Sequence, residues 1–149
     1  MAQISLSEFA DKLNQTIPLI IKEFSRHETS DIFESKITLP QILVLNFLDL
    51  QGETRMKDLA LYMNVTTAAM TGVVDRLVRD KCLVRVYDPN DRRVVKVKIT
   101  DKGKELLKKM NDHKKKAIVK VFDKIPEKDR EEYLRILINI KDILVNESH

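Results

Sequence analysis

The sequence predicts a mainly α-helical fold with one small β-hairpin. Only three Gly and four Pro occur among 149 residues, which argues against a turn-rich all-β protein. Apolar residues recur at helical spacing in six segments, whereas residues 84–99 alternate β-branched and charged side chains on either side of an Asp-Pro-Asn turn. Hydrophobic residues make up 43% of the chain and aromatic residues 5%, so the core is expected to be aliphatic.

Two helices are predicted before residue 52. The first begins at a Ser5 or Ser7 cap and contains Pro18, which should kink it because proline lacks a backbone N–H donor. The second begins at Thr38 and stops at Gly52, a residue type favoured at helix C-termini. The apolar stripes of these helices consist of Phe9, Leu13, Ile17, Ile20 and Phe24, and of Ile42, Val44, Leu45 and Leu48.

Two shorter helices and the hairpin follow. Thr54 is expected to cap the third helix and Thr66 the fourth, with a turn at Asn64 between them. The fourth helix should run to about Lys81. Its core stripe is Met70, Val73, Val74 and Leu77. In the hairpin, one face is predicted to carry Val84, Val86, Val95, Val97 and Ile99, and the other Arg85, Lys96 and Lys98.

Two long helices complete the chain. Thr100 should cap the fifth, which runs to about Lys124, and Pro126 should open the sixth. Their apolar positions are Leu106, Leu107, Met110, Ala117, Ile118 and Val121, and Leu134, Leu137, Ile138, Ile140 and Leu144. With the first helix, these stripes form a surplus of apolar surface, which favours a dimer.

Positive charge is concentrated in the middle of the chain. Residues 51–116 carry 17 basic and 9 acidic side chains, net +8, whereas residues 1–50 are net −3 and residues 117–149 net −1. A localised basic excess indicates a polyanionic partner. A merely solvated surface explains this charge about as well.

The sequence predicts a cytoplasmic protein that does not associate with a membrane. Cys82 is the single cysteine, which excludes an intramolecular disulfide and favours a reducing compartment. The N-terminal stretch MAQISLSEFADKL lacks a basic region followed by a long apolar run, so no signal peptide is expected. The longest apolar runs are too short to span a bilayer.

The order of the middle elements is that of a winged helix-turn-helix: a helix, a three-residue turn, a second helix and then a hairpin. The second helix of such a unit fits the major groove of DNA, and the hairpin, called the wing, lies over the adjacent phosphates or minor groove. This arrangement accounts for Arg92 and Arg93 at the tip of the hairpin, where they reach nothing of the protein's own core.

Residues 38–103 closely resemble the MarR-type transcriptional regulators. The resemblance rests on TLPQILVLNFL, on the long stretch that begins KDLALYMNVTTAAM, and on a D-x-R element at Asp91 and Arg93. It implies one domain over residues 1–149, with a winged-helix core at 38–103, a helix-turn-helix at about 54–80 and a wing at about 82–100. It also implies helical dimerisation regions at 1–35 and 104–149, and an obligate homodimer that reads a palindromic operator in double-stranded DNA.

Eight residues are candidate DNA contacts. Arg93 is the leading one, with Asp91 expected to orient it, and Arg92 beside it reaches either phosphate or solvent. Three threonines stand at the start of the predicted recognition helix. Thr66 is either a helix cap or a phosphate ligand. Three basic residues are candidate phosphate ligands. One of them, Arg76, could instead pair with a neighbouring acidic side chain. The threonines are Thr66, Thr67 and Thr71, and the basic residues are Arg76, Lys57 and Arg55.

Two departures from the family pattern bear on function. Gly72 stands where the family often has a larger polar or basic side chain, so together with Ala68 and Ala69 it leaves the recognition helix smooth. A smooth helix predicts a large contribution from phosphate contacts and DNA shape. Cys82 stands where the family usually has Gly, which raises the question of redox sensing; a buried, inert thiol is the alternative.

The leading hypothesis is a homodimeric, sequence-specific regulator, a repressor that a small molecule releases from DNA. A small molecule wedged between the winged helix and the dimerisation helices would change the half-site spacing that the dimer can match. The resemblance suggests a phenolic or other aromatic anion as this ligand. A non-specific architectural DNA binder is the alternative. An enzyme is not expected, because the sequence has neither a Gly-rich phosphate loop nor a nucleophile with a base at a known spacing. No cofactor is expected, and a metal site lacks a spacing signature; its candidate ligands would be His27, Glu28, Asp31, Glu34 and His113.

Overall fold

The structure is a computed structural model that describes residues 3–27 and 37–148. It confirms a mainly helical fold with a small antiparallel sheet, in which the strand order is β1-β3-β2. The elements are α1 (Leu6–His27), α2 (Leu39–Gln51), β1 (Thr54–Arg55), α3 (Met56–Tyr62), α4 (Thr67–Arg79), β2 (Leu83–Tyr87), β3 (Val95–Ile99), α5 (Asp101–Phe122) and α6 (Glu127–Glu147). In the described ranges, no helix is long and apolar enough to cross a membrane.

The described chain divides into two compact units. The helical unit comprises α1, the part of α5 from residue 113 onward, and α6. The winged unit extends from α2 through the sheet to residue 112 in α5. The basic middle segment of the sequence therefore falls mainly in the winged unit.

Short polar side chains cap α1 and α4, as predicted. The Ser5 hydroxyl accepts the Glu8 N–H at 3.2 Å, and α1 then continues through Pro18 as one helix. At the start of α4, the Thr66 hydroxyl accepts the Ala69 N–H at 3.1 Å. These bonds satisfy backbone donors that have no partner within the helix.

The predicted cap at Thr54 is wrong. Thr54 lies in β1, where it pairs with Val97 of β3, and its hydroxyl donates to the Gly52 carbonyl oxygen at 2.9 Å. Arg55 is the residue before α3, and its side chain makes no capping bond. The sequence missed β1 because a strand of two residues carries no detectable alternation.

The predicted phase of β2 is also wrong. Directly opposite residues of an antiparallel pair share a face. The faces that the prediction assigned to Val84 and Arg85 are therefore exchanged: Val84 lies opposite Lys98 and is 44% exposed. Burial of Leu83 decides the phase, since the valines at 84 and 86 suit either face. The pairs on the inner face are Leu83 with Ile99, Arg85 with Val97, and Tyr87 with Val95.

The fourth helix ends at Arg79, earlier than expected, in a tight hydrogen-bonded turn. The Cys82 N–H donates to the Leu77 carbonyl at 2.8 Å, and the Lys81 N–H donates to the Val78 carbonyl at 3.0 Å. Lys81 has a φ of 63°, in the left-handed region that favours glycine. The position that suits glycine is thus Lys81, one residue before the cysteine at which the resemblance placed it.

The core of the winged unit is aliphatic, as predicted. It includes Val44, Leu45, Leu48, Leu59, Met70, Val74, Leu77, Leu83 and Val97. The start of α5 is held closely against it, because the Thr100 hydroxyl donates to the Lys81 carbonyl oxygen at 2.6 Å and accepts the Gly103 N–H at 3.1 Å. These contacts fix the first turn of α5 to the segment that joins α4 to β2.

The apolar stripes of the helical unit remain largely exposed within a single chain. None of the residues of α6 is buried. Ile17 of α1 is 46% exposed, and Leu134 and Leu144 of α6 are 58% and 59% exposed. Apolar surface of this extent is rarely left in water and indicates an interaction site.

Candidate nucleic-acid interface

The helix α4 has one buried face and one outward face. Met70, Val74 and Leu77 are buried in the core. Thr67, Thr71 and Asp75 follow one another at intervals of four residues along an exposed side of the helix. Burial of Met70, Val74 and Leu77 therefore determines which side chains of α4 point outward.

A groove of about 450 Å³ lies between α4 and the wing. Five of the eight candidate contacts line it: Arg55, Lys57, Thr67, Thr71 and Arg93. They come from β1, α3, α4 and the turn at the tip of the wing, and the fold brings them to one surface. The other lining residues are Met56, Arg85, Tyr87, Val94 and Val95.

The groove is electropositive. Four of the side chains that line it, on Arg55, Lys57, Arg85 and Arg93, are basic, and none of its described lining residues is acidic. A concave surface with charge of one sign concentrates ligands of the opposite sign. The groove therefore suits a polyanion whose backbone passes between a helix and a hairpin.

The tip of the wing is a hydrogen-bonded turn that projects an arginine. Asp88 Oδ1 accepts the backbone N–H groups of Asn90 at 2.8 Å and Asp91 at 3.3 Å. Asp91 Oδ1 in turn accepts the Arg93 backbone N–H at 3.0 Å and the Arg93 Nε at 3.2 Å. The Arg93 side chain nevertheless remains 92% exposed, so its outer nitrogens are accessible to a ligand.

The remaining three candidates do not line this groove. Arg76 lies on the other side of α4, beside a depression of about 440 Å³ that Thr38, Gln41 and Gly72 also line. The Thr66 hydroxyl is engaged as a helix cap. Arg92 is exposed but lines neither surface.

Sequence reasoning missed Arg85 and Tyr87 as groove residues. Both lie on the inner face of β2, which the predicted phase had assigned to solvent. Arg85 forms an ion pair with Asp75 of α4, and its side chain is 23% exposed. Leu83 is the signal that could have found them. It is buried, and it lies on the same face of the strand, two residues before Arg85 and four before Tyr87.

Cys82 has the environment of an inert thiol. It is 2% exposed, and its Sγ lies 3.7 Å from the Asp80 carbonyl oxygen. Burial raises the pKa of the Cys82 thiol; the charge of Lys102 opposes this increase, and that of Asp80 adds to it. The thiolate, which is the reactive form, is therefore disfavoured.

No group of three or more His, Cys, Asp or Glu residues in the described chain is placed to hold a metal ion. Glu28, Asp31 and Glu34, three of the weighed candidate ligands, lie outside the described residues.

Known proteins share both the sequence pattern and the fold. A model of the MarR family matches residues 37–95. The HTH-type transcriptional repressor MdtR of Bacillus subtilis is 30% identical over 98 residues, which are 63% of each chain. These similarities concern transcriptional regulators and not enzymes.

Solved structures extend the likeness along most of the chain. A MarR family protein from Bacillus stearothermophilus has a TM-score of 0.75 at 19% identity, over 95% of this chain and 99% of that one. Bordetella bronchiseptica BpsR has a TM-score of 0.59 at 28% identity, over 85% of this chain and 98% of that one. DNA binding by BpsR is regulated by 6-hydroxynicotinic acid. Given the family match and a solved MepR-like protein that is 30% identical over 94% of its own chain, the chain belongs to the MarR family of transcriptional regulators.

Proposed function

We propose that the protein is a homodimeric repressor that binds an inverted repeat in double-stranded DNA. The observation that carries this proposal is the electropositive groove between α4 and the wing, which gathers five candidate contacts from three elements and the wing turn. In this proposal α4 enters the major groove, with Thr67 and Thr71 near the bases, and Arg93 enters the adjacent minor groove. Arg55 and Lys57 contact the phosphates that lie between these two grooves.

Other candidates have supporting roles in this proposal. Arg76 contacts phosphate on the far side of α4, and Arg92 contributes at most a phosphate contact at the wing tip. Thr66 mainly caps the helix, and its turn can still approach a phosphate because a helix N-terminus favours anions. Asp91 orients Arg93, which the two bonds between these residues support.

A second copy of the chain is the proposed partner of the helical unit. The apolar residues on α1 and α6 are 40% to 60% exposed at many positions, including Leu13, Leu134 and Leu144. Obligate interfaces resemble a hydrophobic core divided between two subunits. Two-fold symmetry in the protein then explains why the operator would be an inverted repeat with half-sites about one helical turn apart.

We infer that the protein acts in the cytoplasm as a repressor that an aromatic anion releases. MdtR is a repressor, and DNA binding by BpsR is regulated by an aromatic acid, which supports the same class of ligand here. A coupling between ligand and DNA is typically about 1–3 kcal/mol, or 5–150-fold in affinity. Titration of a preformed complex with 6-hydroxynicotinate and with salicylate tests this, with cyclohexanecarboxylate as the non-aromatic control; no loss of DNA affinity with either aromatic acid would count against this ligand class.

Selection from a random pool of duplex DNA at near-physiological salt tests DNA recognition. The proposal predicts enrichment of an inverted repeat. Retention of DNA without an enriched motif would contradict specific recognition. If no DNA is retained, the protein is unfolded, dialysed to remove any bound ligand, and refolded. Continued failure to retain DNA would contradict the proposal as a whole.

A non-specific architectural DNA binder is the second candidate function. The observation that favours it is the smooth middle of α4, where a Cβ added at Gly72 would have no neighbour within 4 Å. Few side chains there are long enough to read bases. Binding that weakens steeply with salt and is equal on all duplexes would favour this candidate.

A further inference from the structure

We propose that Asp75 and Arg85 form a positioning pair that sets the angle between the wing and α4, so that both can contact DNA at the same time. The proposal rests on the DNA-binding function proposed above and assigns roles to two residues that the candidate contacts did not include. Asp75 belongs to the recognition helix and Arg85 to the first wing strand, so the pair joins the two parts of the reading surface.

The placement of Asp75 requires an explanation. It follows Thr67 and Thr71 on the exposed side of α4, and its side chain is 54% exposed. A carboxylate at this position is repelled by DNA phosphates unless a cation compensates its charge. Arg85 supplies that cation from within the groove, since its guanidinium contacts Asp75 Oδ1 through Nη2.

Arg85 is well suited to hold the wing. Its side chain is only 23% exposed and lies opposite Val97, a fully buried residue of β3. The side chain is therefore supported by the sheet before it reaches Asp75. A guanidinium has five N–H donors in a fixed plane, so donors beyond Nη2 remain for a phosphate that enters the groove.

The wing is anchored at its base, where Leu83, Val97 and Ile99 pack in the core. Its sheet is extended beyond the hairpin by β1, which contributes two residue pairs, Thr54 with Val97 and Arg55 with Lys96. An ion pair between Lys96 and Glu53, at 3.8 Å, lies on the same edge. Among the ion pairs of the described residues, the Asp75–Arg85 pair is the one that joins the sheet directly to α4. In the proposal it adds to the core packing and sets their angle at the groove.

Two other roles for Asp75 make different predictions. As a base reader, it would accept a hydrogen bond from a cytosine amino group and would set the preference at one base pair. As an ordinary surface acid, it would only oppose DNA binding, and its neutralisation would tighten the complex. A positioning residue, in contrast, loses its effect when its partner is already absent.

The test is a double-mutant cycle on the duplex enriched by the wild-type protein. Dissociation constants are measured at one salt concentration for the wild type, Asp75→Asn, Arg85→Gln and the double variant. We expect each single variant to bind about tenfold more weakly, and the double variant to bind no more weakly than Arg85→Gln. Asp58→Asn, which neutralises an exposed acid on α3, is the control and should not weaken binding.

Several outcomes would overturn the proposal. These are unchanged or tighter binding by Asp75→Asn, additive losses in the double variant, and a changed preference at a single base pair when the selection is repeated with Asp75→Asn. If Asp75→Asn lowers the unfolding midpoint, the charge-swapped variant Asp75→Arg/Arg85→Asp decides: recovered DNA affinity supports the pair, and no recovery contradicts it. Wild-type protein that binds no duplex would instead refute the proposed function itself.

Discussion

Two glycines show how differently one residue type is used in this chain. A Cβ at Gly103 would lie 2.3 Å from the Cys82 carbonyl oxygen and 2.8 Å from Ile99 Cγ1, so only glycine lets α5 approach the loop. A Cβ at Gly72, on the outward face of α4, would meet nothing within 4 Å. Gly103 is therefore a packing requirement, whereas Gly72 leaves room on the surface that faces DNA in our proposal.

These environments predict opposite effects of the same substitution. Gly103→Ala should lower the free energy of unfolding by about 2 kcal/mol, because the helix or the loop must move. Gly72→Ala should raise it by about 1 kcal/mol through helix propensity. Denaturant unfolding at one protein concentration measures both, and a loss of stability in Gly72→Ala would show that the space beside it is not open.

Lys81 holds a backbone conformation that glycine adopts at lower cost. Its φ is 63°, at the turn that follows α4. Lys81→Gly should stabilise the protein by about 1 kcal/mol, since relief of the left-handed strain exceeds the added entropy of the unfolded chain. The matched control is Lys108→Gly, in the middle of α5, which should destabilise the protein by about 1 kcal/mol. Equal losses in both variants would contradict a strained Lys81.

The thiol of Cys82 predicts a pH dependence of stability. Burial raises its pKa, so the folded chain keeps a proton that the unfolded chain releases at about pH 8.5. The stabilisation is complete below that pH and is lost as pH rises toward the higher folded pKa. The free energy of unfolding should therefore decline from pH 8 to 10 more steeply in the wild type than in Cys82→Ala. Parallel declines would contradict a raised pKa.

At the scale of elements, local bonds are predictable and pairing is not. The caps at Thr66 and Thr100 could be foreseen because each bonds a backbone N–H three residues away. The phase of β2 could not, because it depends on pairing with β3 and on which side chains the core accepts. Half of the residues that line the groove could be predicted, because they are exposed polar residues around a helix-turn-helix. Arg85 could not, because the wrong phase of β2 assigned it to the solvent face.

The wing offers two neighbouring arginines with different predicted effects. Arg93 lines the groove and is held by Asp91, whereas Arg92 is exposed outside it. Arg93→Ala should weaken binding to the selected duplex by about 1–3 kcal/mol, and Arg92→Ala by less. Fluorescence anisotropy on the same labelled duplex measures both. A greater loss with Arg92→Ala would mean that the wing enters DNA from its other side.

At the scale of the whole molecule, charge and apolar surface are segregated along the chain. The net +8 of residues 51–116 coincides mainly with the winged unit, and α1 and α6 carry the exposed apolar stripes. This segregation matches a division of labour in which one unit binds DNA and the other joins two copies. The sequence indicated it through the surplus of apolar stripes, because amphipathic helices without a buried face need a partner.

The proposed dimer can be separated from the fold by one substitution. Leu144 of α6 is 59% exposed, so Leu144→Asp should spare the chain's own core but place a charge in the proposed interface. We expect a monomer by analytical ultracentrifugation with helix content retained by circular dichroism. Leu50→Asp, at a residue of α2 that is 81% exposed, is the control and should remain a dimer. A dimeric Leu144→Asp would exclude this part of α6 from the interface.

The mass of the protein–DNA complex at saturation decides whether the protein reads its DNA site as a homodimer. We expect two chains of 17.3 kDa on one selected duplex, with neither chain bound when the half-sites are scrambled. A single chain per duplex, or equal occupancy of the scrambled duplex, would contradict a homodimer that reads an inverted repeat.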